Sequence, residues 1–251
     1  RMQLRKNDNI ESVGKEFCGI ITSNELINQI EEKFANHSFS ITELEIFAKC
    51  PYRYFIEYIL QPEYQEEIEE DIPHREFGIL IHNILKRFFK KLHTKGRNFY
   101  KELLDQNSFY LLEKELKSLA EEECEFYEKF NPYFFLIKEN LLGVKLSTRA
   151  KISILSAFLA KEKELNEQNY IPSYFEYPIK QIISQNYYKI NLEGKLDRID
   201  INNTQNKSRI IDYKTGRIPS KKDINDKISL QLPLYIILCK EHFKQNNFPY
   251  S

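Results

Sequence analysis

Residues 194–200 read GKLDRID and residues 210–216 read IIDYKTG, two short apolar segments that carry closely spaced charges. In a β-strand, residues two apart point to the same face, which places Asp212 beside Lys214. Asp197 lies on the preceding strand of a predicted hairpin, and pairing of the two strands can bring it next to Asp212. Carboxylate oxygens are the ligands that Mg²⁺ prefers, and a lysine beside such an ion can orient or deprotonate an attacking water. The two segments therefore predict a metal site suited to phosphodiester hydrolysis.

A second interpretation of the same charges is surface decoration, because an exposed strand often pairs opposite charges along its ladder. Two of the seven glycines, Gly194 and Gly216, flank the charged residues. Glycine lets a backbone or a ligand approach closely, so this placement favours a functional site. Arg198 and Asp200 belong to the first segment as well, and ion pairing within the hairpin explains them better than metal binding does.

The N-terminal part of the chain predicts helices. Apolar residues recur at helical spacing in four segments, at about 23–35, 76–92, 108–129 and 148–168. Ser40 and Glu43 have the spacing of a capping box, and the helix that follows is interrupted at Pro51 and resumes to Ile59. Segment 61–73 is an acidic connector, which we interpret as a solvated linker.

The period changes from helical to alternating after Tyr170. Segments rich in Tyr, Phe and Ile predict three strands and then a closing helix, at 173–183, 187–201, 208–214 and about 226–243. Residues 202–207 form a polar turn between the last two strands. Helices first and then a strand meander closed by a helix give an α+β fold around a small sheet, with no linker that splits the chain.

The composition bounds the class of protein. The chain has 251 residues, of which 41% are hydrophobic, and its 37 Lys and Arg balance 37 Asp and Glu. A net charge of zero excludes a protein whose whole surface attracts nucleic acid, so a polyanion site must be a local groove. No run approaches the roughly 18 apolar residues of a spanning helix, and residues 1–20 carry no signal-peptide core. We expect a cytoplasmic protein without a membrane partner. Its four cysteines lack paired spacing, which indicates free thiols.

The charged segments resemble the motifs of the PD-(D/E)XK nucleases, in particular the RecB/AddB-like helicase–nuclease branch. That branch has a G-x-x-D-R-x-D strand, an apolar-D-Y-K-T-G strand and a helix with Q-x-x-x-Y. Here these are residues 194–200, 210–216 and 231–235. Upstream, segment 40–58 with CPYRYF and segment 78–82 with GILIH match the entry helix and the G-x-x-x-H helix of the branch. The resemblance spans roughly residues 38–240, in the order of the family.

The resemblance implies a restriction-endonuclease-like core, with a small mixed central sheet flanked by helices and a helical N-terminal half. The implied domains are an N-terminal extension at 1–37 and a nuclease domain at 38–251 with a helical insertion at about 94–168. The implied catalytic residues are Asp197, Asp212, Lys214, Gln231 and Tyr235. The implied ligands of Mg²⁺ or Mn²⁺ are His82, Asp197, Asp212 and the Tyr213 carbonyl. In this scheme Gln231 and Tyr235 position the lysine and the DNA strand.

Several further residues leave two interpretations open. His82 falls on the flank of an apolar helical stripe, where it is either a metal ligand or a partly buried structural histidine. Glu176 lies on the strand before the G-x-x-D strand. Its side chain either faces solvent or contacts the metal ligands without binding the metal itself. A basic cluster follows the lysine strand and either contacts phosphates or forms a solvated loop. Its members are Arg217, Lys221 and Lys222.

Cys50 is where the chain departs from the family that it resembles. In many members of that family a cysteine at this position joins three more, just after the nuclease core, to hold a [4Fe–4S] cluster. Only Cys239 lies in that region here, either because the chain is cut short or because this member lacks the cluster. We therefore expect no [4Fe–4S] cluster in this chain and interpret Cys50 as a small apolar residue.

The implied function is a Mg²⁺-dependent deoxyribonuclease, an exonuclease domain that cleaves single strands delivered by a helicase domain or subunit during double-strand break repair. One alternative is a non-catalytic DNA-binding scaffold on the same fold. Another is a stand-alone exonuclease of phage or of CRISPR adaptation.

Overall fold

The fold is that of a computed structural model. It describes residues 23–62, 74–129, 134–143, 153–165, 169–185, 188–226 and 229–245. The chain divides into two compact units, Arg1–Ser38 and Phe39–Ser251. In the first unit, helix α1 (Asn24–Phe34) begins at Ser23, whose hydroxyl accepts a hydrogen bond from the Leu26 N–H.

The second unit opens with short helical segments that follow strand β1 (Ser38–Ser40). Helix α2 (Ile41–Lys49) starts with the predicted capping box, in which Ser40 and Glu43 each bind the backbone N–H of the other. Pro51 interrupts the helix as predicted. It stands at the first position of the next helix, where its missing backbone N–H costs no hydrogen bond. Helix α3 (Pro51–Tyr54) then continues as a π-helix (Phe55–Leu60). Most of the predicted acidic connector, residues 63–73, lies outside the described residues.

Five helices form the next layer. They are α4 (His74–Thr94), α5 (Phe99–Leu104), α6 (Gln106–Glu128), α7 (Phe134–Leu142) and α8 (Ile154–Leu165). Their apolar faces form a first core cluster that includes Leu80, Phe88 and Phe89. The helices predicted at 76–92 and 108–129 correspond to α4 and α6. The one predicted at 148–168 is α8 within the described residues, since 148–152 and 166–168 lie outside them. The sequence pattern does not predict α5 and α7, because α5 is short and α7 is apolar on most sides.

The sheet is built around one long strand. Strand β3 (Tyr188–Asn202) pairs antiparallel with β2 (Ile171–Gln185) and with β4 (Lys207–Ile211), and β1 also pairs with β3. The prediction that the third strand reaches Lys214 is wrong: the ladder ends at Ile211, and residues 212–215 leave the sheet as a loop. The predicted α+β fold, with a helical N-terminal half and a small sheet, is confirmed.

A second core cluster lies against the sheet and includes Leu192, Leu196 and Leu238. Leu196 belongs to this cluster, yet the guanidinium of Arg198, two residues on, lies 4.5 Å from the ring centroid of Phe89 in the first cluster. Regular alternation would put both side chains on one face. The alternation of β3 is therefore interrupted between them.

Two helices close the chain. Helix α9 (Lys221–Asn225) begins with a capping box of Ser220 and Asp223, and α10 (Gln231–Gln245) packs on the sheet. The single helix predicted from about 226 to 243 therefore begins later. Its start is set by Glu45 of α2, whose Oε1 accepts hydrogen bonds from the N–H groups of Leu230 and Gln231 at 2.7 and 3.0 Å. Among the helices of the described ranges, none combines the length and the apolar character needed to cross a membrane.

Candidate metal and catalytic site

Three carboxylates lie in one row across the sheet. The pairs Phe175–Arg198 and Tyr177–Leu196 flank Glu176 and Asp197, so these two acids lie opposite each other on β2 and β3. Arg198 also pairs with Ile211, the last residue of β4, and Asp212 follows it directly. The N–H of the next residue, Tyr213, donates to Asp197 Oδ2, which keeps Asp212 close to Asp197. In this acid row, Glu176, Asp197 and Asp212, strand register places the first two acids, and the segment that leaves the sheet places the third.

Each acid of this row is largely withdrawn from water. The exposed fractions of the Glu176, Asp197 and Asp212 side chains are 9%, 8% and 7%. Close carboxylates repel one another, and burial makes each charge harder to hold. For Asp212, burial raises the pKa above its usual value and Asp197 adds to the rise, while Lys214 lowers it. A divalent ion beside the acids would offset this repulsion.

Glu176 also carries backbone strain. Its φ is +51°, in the left-handed region that non-glycine residues rarely adopt. The residue lies at the point where the side chains of β2 and β3 change faces, so the strained turn redirects its carboxylate towards Asp197. Strain of this kind persists where the surrounding structure imposes it, and it concentrates at functional sites. Of the two interpretations left open for Glu176, solvent exposure is wrong.

His82 reaches the acid row from helix α4. Its Nδ1 lies 3.4 Å from Glu176 Oε1 and 3.3 Å from Asp197 Oδ1, and its Nε2 lies 3.2 Å from the Tyr213 carbonyl. A hydrogen bond to Asp197 raises the pKa of His82 above its usual value, although burial lowers it. The imidazolium form can donate from both nitrogens, to the acids on one side and to the carbonyl on the other. His82 therefore faces the acids rather than serving only as a core histidine.

Lys214 and Gln231 hold the third acid. The Lys214 ammonium lies 2.7 Å from Asp212 Oδ2 and donates to Gln231 Oε1 at 2.6 Å. The Gln231 amide nitrogen in turn donates to Asp212 Oδ1 at 2.9 Å. Because Glu45 fixes the first turn of α10, the Gln231 side chain starts from a defined backbone position. The predicted meeting of Asp212 and Lys214 thus occurs, although it is built by a loop and not by strand alternation.

Tyr213 links the site to the protein interior. Its N–H donates to Asp197 Oδ2 at 2.6 Å, and its hydroxyl accepts a hydrogen bond from Arg198 Nη1 at 2.8 Å. The Arg198 side chain is fully buried and lies in a cage of polar groups. They are Asp200 at 2.8 Å, Tyr100 at 2.9 Å and Glu162 at 3.0 Å. The predicted pairing of Arg198 with Asp200 is present, and the cage extends it to helices α5 and α8.

Tyr235, four residues after Gln231 on α10, packs beneath the sheet and its hydroxyl donates to the Lys195 carbonyl at 2.9 Å. A Cβ at Gly194 would lie 2.8 Å from the Tyr235 ring, so only glycine admits the ring this close to β3. Tyr235 therefore fixes the backbone of the strand that carries Asp197, and Gly194 is the glycine that makes this contact possible.

The group formed by His82, Glu176 and Asp197 fits a divalent ion. One ligand atom from each lies within 4.8 Å of the others. Adjacent ligands of an octahedral ion at about 2.1 Å are about 3 Å apart, close to the observed His82 contacts. Each acid has one basic neighbour: Lys195 forms an ion pair with Glu176, Lys214 lies beside Asp212, and His82, which is charged only when protonated, lies beside Asp197.

The remaining candidates lie outside this group. Arg217 forms an ion pair with Asp223 at 3.1 Å and its side chain is 82% exposed, and Lys221 and Lys222 are exposed on α9. Their contact with phosphates stays a prediction. Cys50 is half-buried, and its Sγ accepts a hydrogen bond from the Arg53 N–H at the start of α3. Cys239 is buried in the second core cluster.

Three carboxylates in one row of a small sheet, with a histidine and a lysine beside them, are typical of metal-dependent enzymes that hydrolyse phosphodiesters. A family model described as the PD-(D/E)XK nuclease superfamily matches residues 38–249, and the chain belongs to this family. The family expected from the sequence motifs is confirmed.

Several curated relatives are named as one of the subunits of an ATP-dependent helicase/deoxyribonuclease. The chain is 28% identical to that of Thermoanaerobacter sp. (strain X514), in an alignment that covers 84% of this chain and 18% of the relative. It is 26% identical to that of Carboxydothermus hydrogenoformans, where the alignment covers 98% of this chain and 23% of the relative. For Clostridioides difficile (strain 630) the identity is 27%, and the alignment covers 96% of this chain and 21% of the relative. The chain thus spans about a fifth of the length of these relatives.

Proposed function

We propose that the chain is a Mg²⁺- or Mn²⁺-dependent deoxyribonuclease domain that hydrolyses DNA phosphodiesters at the acid row. The observation that carries the proposal is the row of three largely buried acids, two placed by strand register and the third by the segment after β4, with His82 and Lys214 at its edge. A non-catalytic DNA-binding scaffold needs no such row, whose mutual repulsion and burial both cost folding free energy. The family membership supports the same chemistry.

The ion would be held by Asp197 and Glu176, with His82, Asp212 and the Tyr213 carbonyl beside them. A bound divalent ion supplies Lewis-acid chemistry, since it neutralises charge on a phosphodiester and makes a water more acidic. To act as a ligand, His82 must release the proton on one ring nitrogen, so metal binding is weaker at low pH.

Lys214 has the clearest role in the chemical step. Its ammonium is held by Asp212 and Gln231 and a third of its side chain is exposed, so it can donate to a water or to a phosphate oxygen. Such a donor orients the water for attack on phosphorus and stabilises charge that develops in the transition state. Gln231 keeps the lysine directed at this position.

The proposed setting rests on the name of these relatives, ATP-dependent helicase/deoxyribonuclease subunits, and on the family resemblance of the sequence motifs. We propose that the chain is the nuclease part of a helicase–nuclease protein in break repair, and that a helicase domain or subunit supplies its single strand. This predicts that a single strand with a free end is cut and that a closed circular single strand of the same sequence is not.

The test is cleavage of end-labelled single- and double-stranded DNA by the purified chain, with and without Mg²⁺. Lys214→Ala and Asp197→Asn are expected to lower the rate at least about a hundredfold. The matched control is Lys161→Ala, which removes only an exposed ion pair with Glu164 and should cleave as the parent does. Cleavage by Lys214→Ala at the rate of the parent, with Mg²⁺ present, would show that the catalytic assignment is wrong.

A further inference from the structure

A cavity of about 250 Å³ opens beside the candidate catalytic lysine. Three aromatic side chains, Phe77, Phe158 and Tyr213, belong to its wall, and aliphatic residues of α4 and α8 complete the apolar part. The residues with polar side chains in the described lining are Tyr213, Lys214 and Thr215. Since the Tyr213 hydroxyl is bound by Arg198, the cavity offers mainly aromatic and aliphatic surface.

Tyr213 connects this cavity to the acid row. Its backbone N–H and carbonyl contact Asp197 and His82, while its ring lies in the cavity wall at 6.0 Å, centroid to centroid, from Phe158. The cavity therefore begins one side-chain length from the place where the phosphodiester would be hydrolysed. In a nucleotide, the base lies at a similar distance from its own phosphate.

The size and lining of the cavity select its occupant. Pockets for drug-sized ligands span about 300–1,000 Å³, so this cavity suits a single planar ring system rather than a base pair. Every nucleobase has an apolar face that stacks on aromatic side chains, and such stacking tolerates any sequence. With few free polar groups, the cavity cannot read the hydrogen-bonding edge of a base in detail.

We propose that this cavity is a base-binding subsite that takes one unpaired nucleobase of the DNA strand next to the scissile phosphodiester. The inference rests on the proposed nuclease function and deepens it. A base that enters the cavity must leave its stack and its partner strand, so the subsite would favour single-stranded over double-stranded DNA.

The first experiment scans one abasic site along an end-labelled single strand and measures the cleavage rate at each bond with Mg²⁺. We expect one abasic position, at a fixed offset from the bond, to slow cleavage of that bond about tenfold. The variants Phe158→Leu and Phe77→Leu should reduce this dependence, and thermal unfolding identifies any variant that fails to fold. The matched control is Phe135→Leu, a 46% exposed residue of α7 outside the cavity, which should keep the dependence. Normal cleavage with no sensitive position overturns the subsite and leaves the nuclease function intact.

The second experiment measures binding without cleavage. A single strand with 2-aminopurine at the sensitive position, or at each position in turn, is titrated with the chain in Ca²⁺. A base that enters the cavity leaves the neighbouring bases that quench it, so the fluorescence should rise at one position only, and Phe158→Leu should reduce this rise. If the parent chain shows no Mg²⁺-dependent cleavage, the nuclease proposal fails, and this measurement still decides whether a base enters the cavity. Equal fluorescence at all positions would refute the subsite.

Discussion

Tyr213→Phe removes a single hydroxyl and tests the link between the interior and the acid row. The ring and the backbone of residue 213 stay, and the hydrogen bond lost is the one from Arg198 Nη1 at 2.8 Å. Arg198 is fully buried, so water cannot replace the missing acceptor. Hydrogen bonds to charged groups contribute about 1.5–3 kcal/mol, and we expect a loss of about 2 kcal/mol in the free energy of unfolding. In a chain of this size that lowers Tm by about 4–8 °C.

The same substitution should also weaken metal binding. The backbone of Tyr213 donates to Asp197 and accepts from His82, so looser packing of the residue loosens two groups of the site at once. Loss of a partner behind the metal ligands typically costs 10–100-fold in affinity, and we expect about a tenfold higher Mg²⁺ concentration for half-maximal cleavage. The maximal rate should change less, because Lys214 and Gln231 keep their contacts.

Thermal unfolding and a Mn²⁺ binding titration measure the two effects separately. Tyr110→Phe is the control, since the Tyr110 side chain is 65% exposed on α6 and its loss should leave both quantities unchanged. A Tm for Tyr213→Phe within about 1 °C of the parent would refute the stabilising role of the Arg198 contact. Lower stability with unchanged Mn²⁺ affinity would refute the link to the site.

Two further predictions concern single residues. Glu176→Asn should abolish Mg²⁺-dependent cleavage and raise the free energy of unfolding by about 1 kcal/mol, because Asn tolerates a positive φ better and the acid row loses one charge. The lost ion pair with Lys195 offsets little of this gain, since the Lys195 side chain is 60% exposed. Denaturant unfolding of the metal-free chain measures the change, and a destabilised variant would contradict it. Burial raises the pKa of Cys239 to about 12. The neutral thiol therefore stabilises the fold fully at pH values below the ordinary thiol pKa. This stability is lost as the pH rises from the ordinary pKa through the raised one. At about pH 8, iodoacetamide should therefore alkylate half-buried Cys50 and spare Cys239 in the folded chain, and peptide mass spectrometry that finds native Cys239 modified would disprove it.

The features that sequence predicts well are those encoded by neighbouring residues. The apolar stripe at 76–92 corresponds to helix α4, and the spacing of Ser40 and Glu43 to a capping box, because both depend on residues at most a few positions apart. The same holds for the pair of Arg198 and Asp200. The predicted hairpin also sets Asp197 and Asp212 side by side, since an antiparallel register follows from the turn between two strands.

The features that sequence misses depend on distant contacts or on backbone exceptions. The two-residue period of a strand assumes unbroken alternation, and it fails at Glu176, where a positive φ redirects the side chain. No local pattern reveals that Tyr100 and Glu162, far apart in the chain, enclose Arg198. The predicted strand also continues to Lys214, because Asp-x-Lys imitates alternation although the ladder ends earlier.

These exceptions fall together at the acid row, and there is a physical reason for this. A regular strand would place Glu176 and Asp197 in line with residues that face water or the core, where carboxylates either hydrate or remain unpaired at high cost. Because the side chains of the two strands change faces at this one position, the acids point towards each other and towards His82. The flanking residues still pack in the two core clusters. The backbone strain and the crowded charge lower stability, and the buried cage around Arg198 holds the adjoining Tyr213 in place against both. On this argument, the least regular part of the sheet is the part that the chemistry requires.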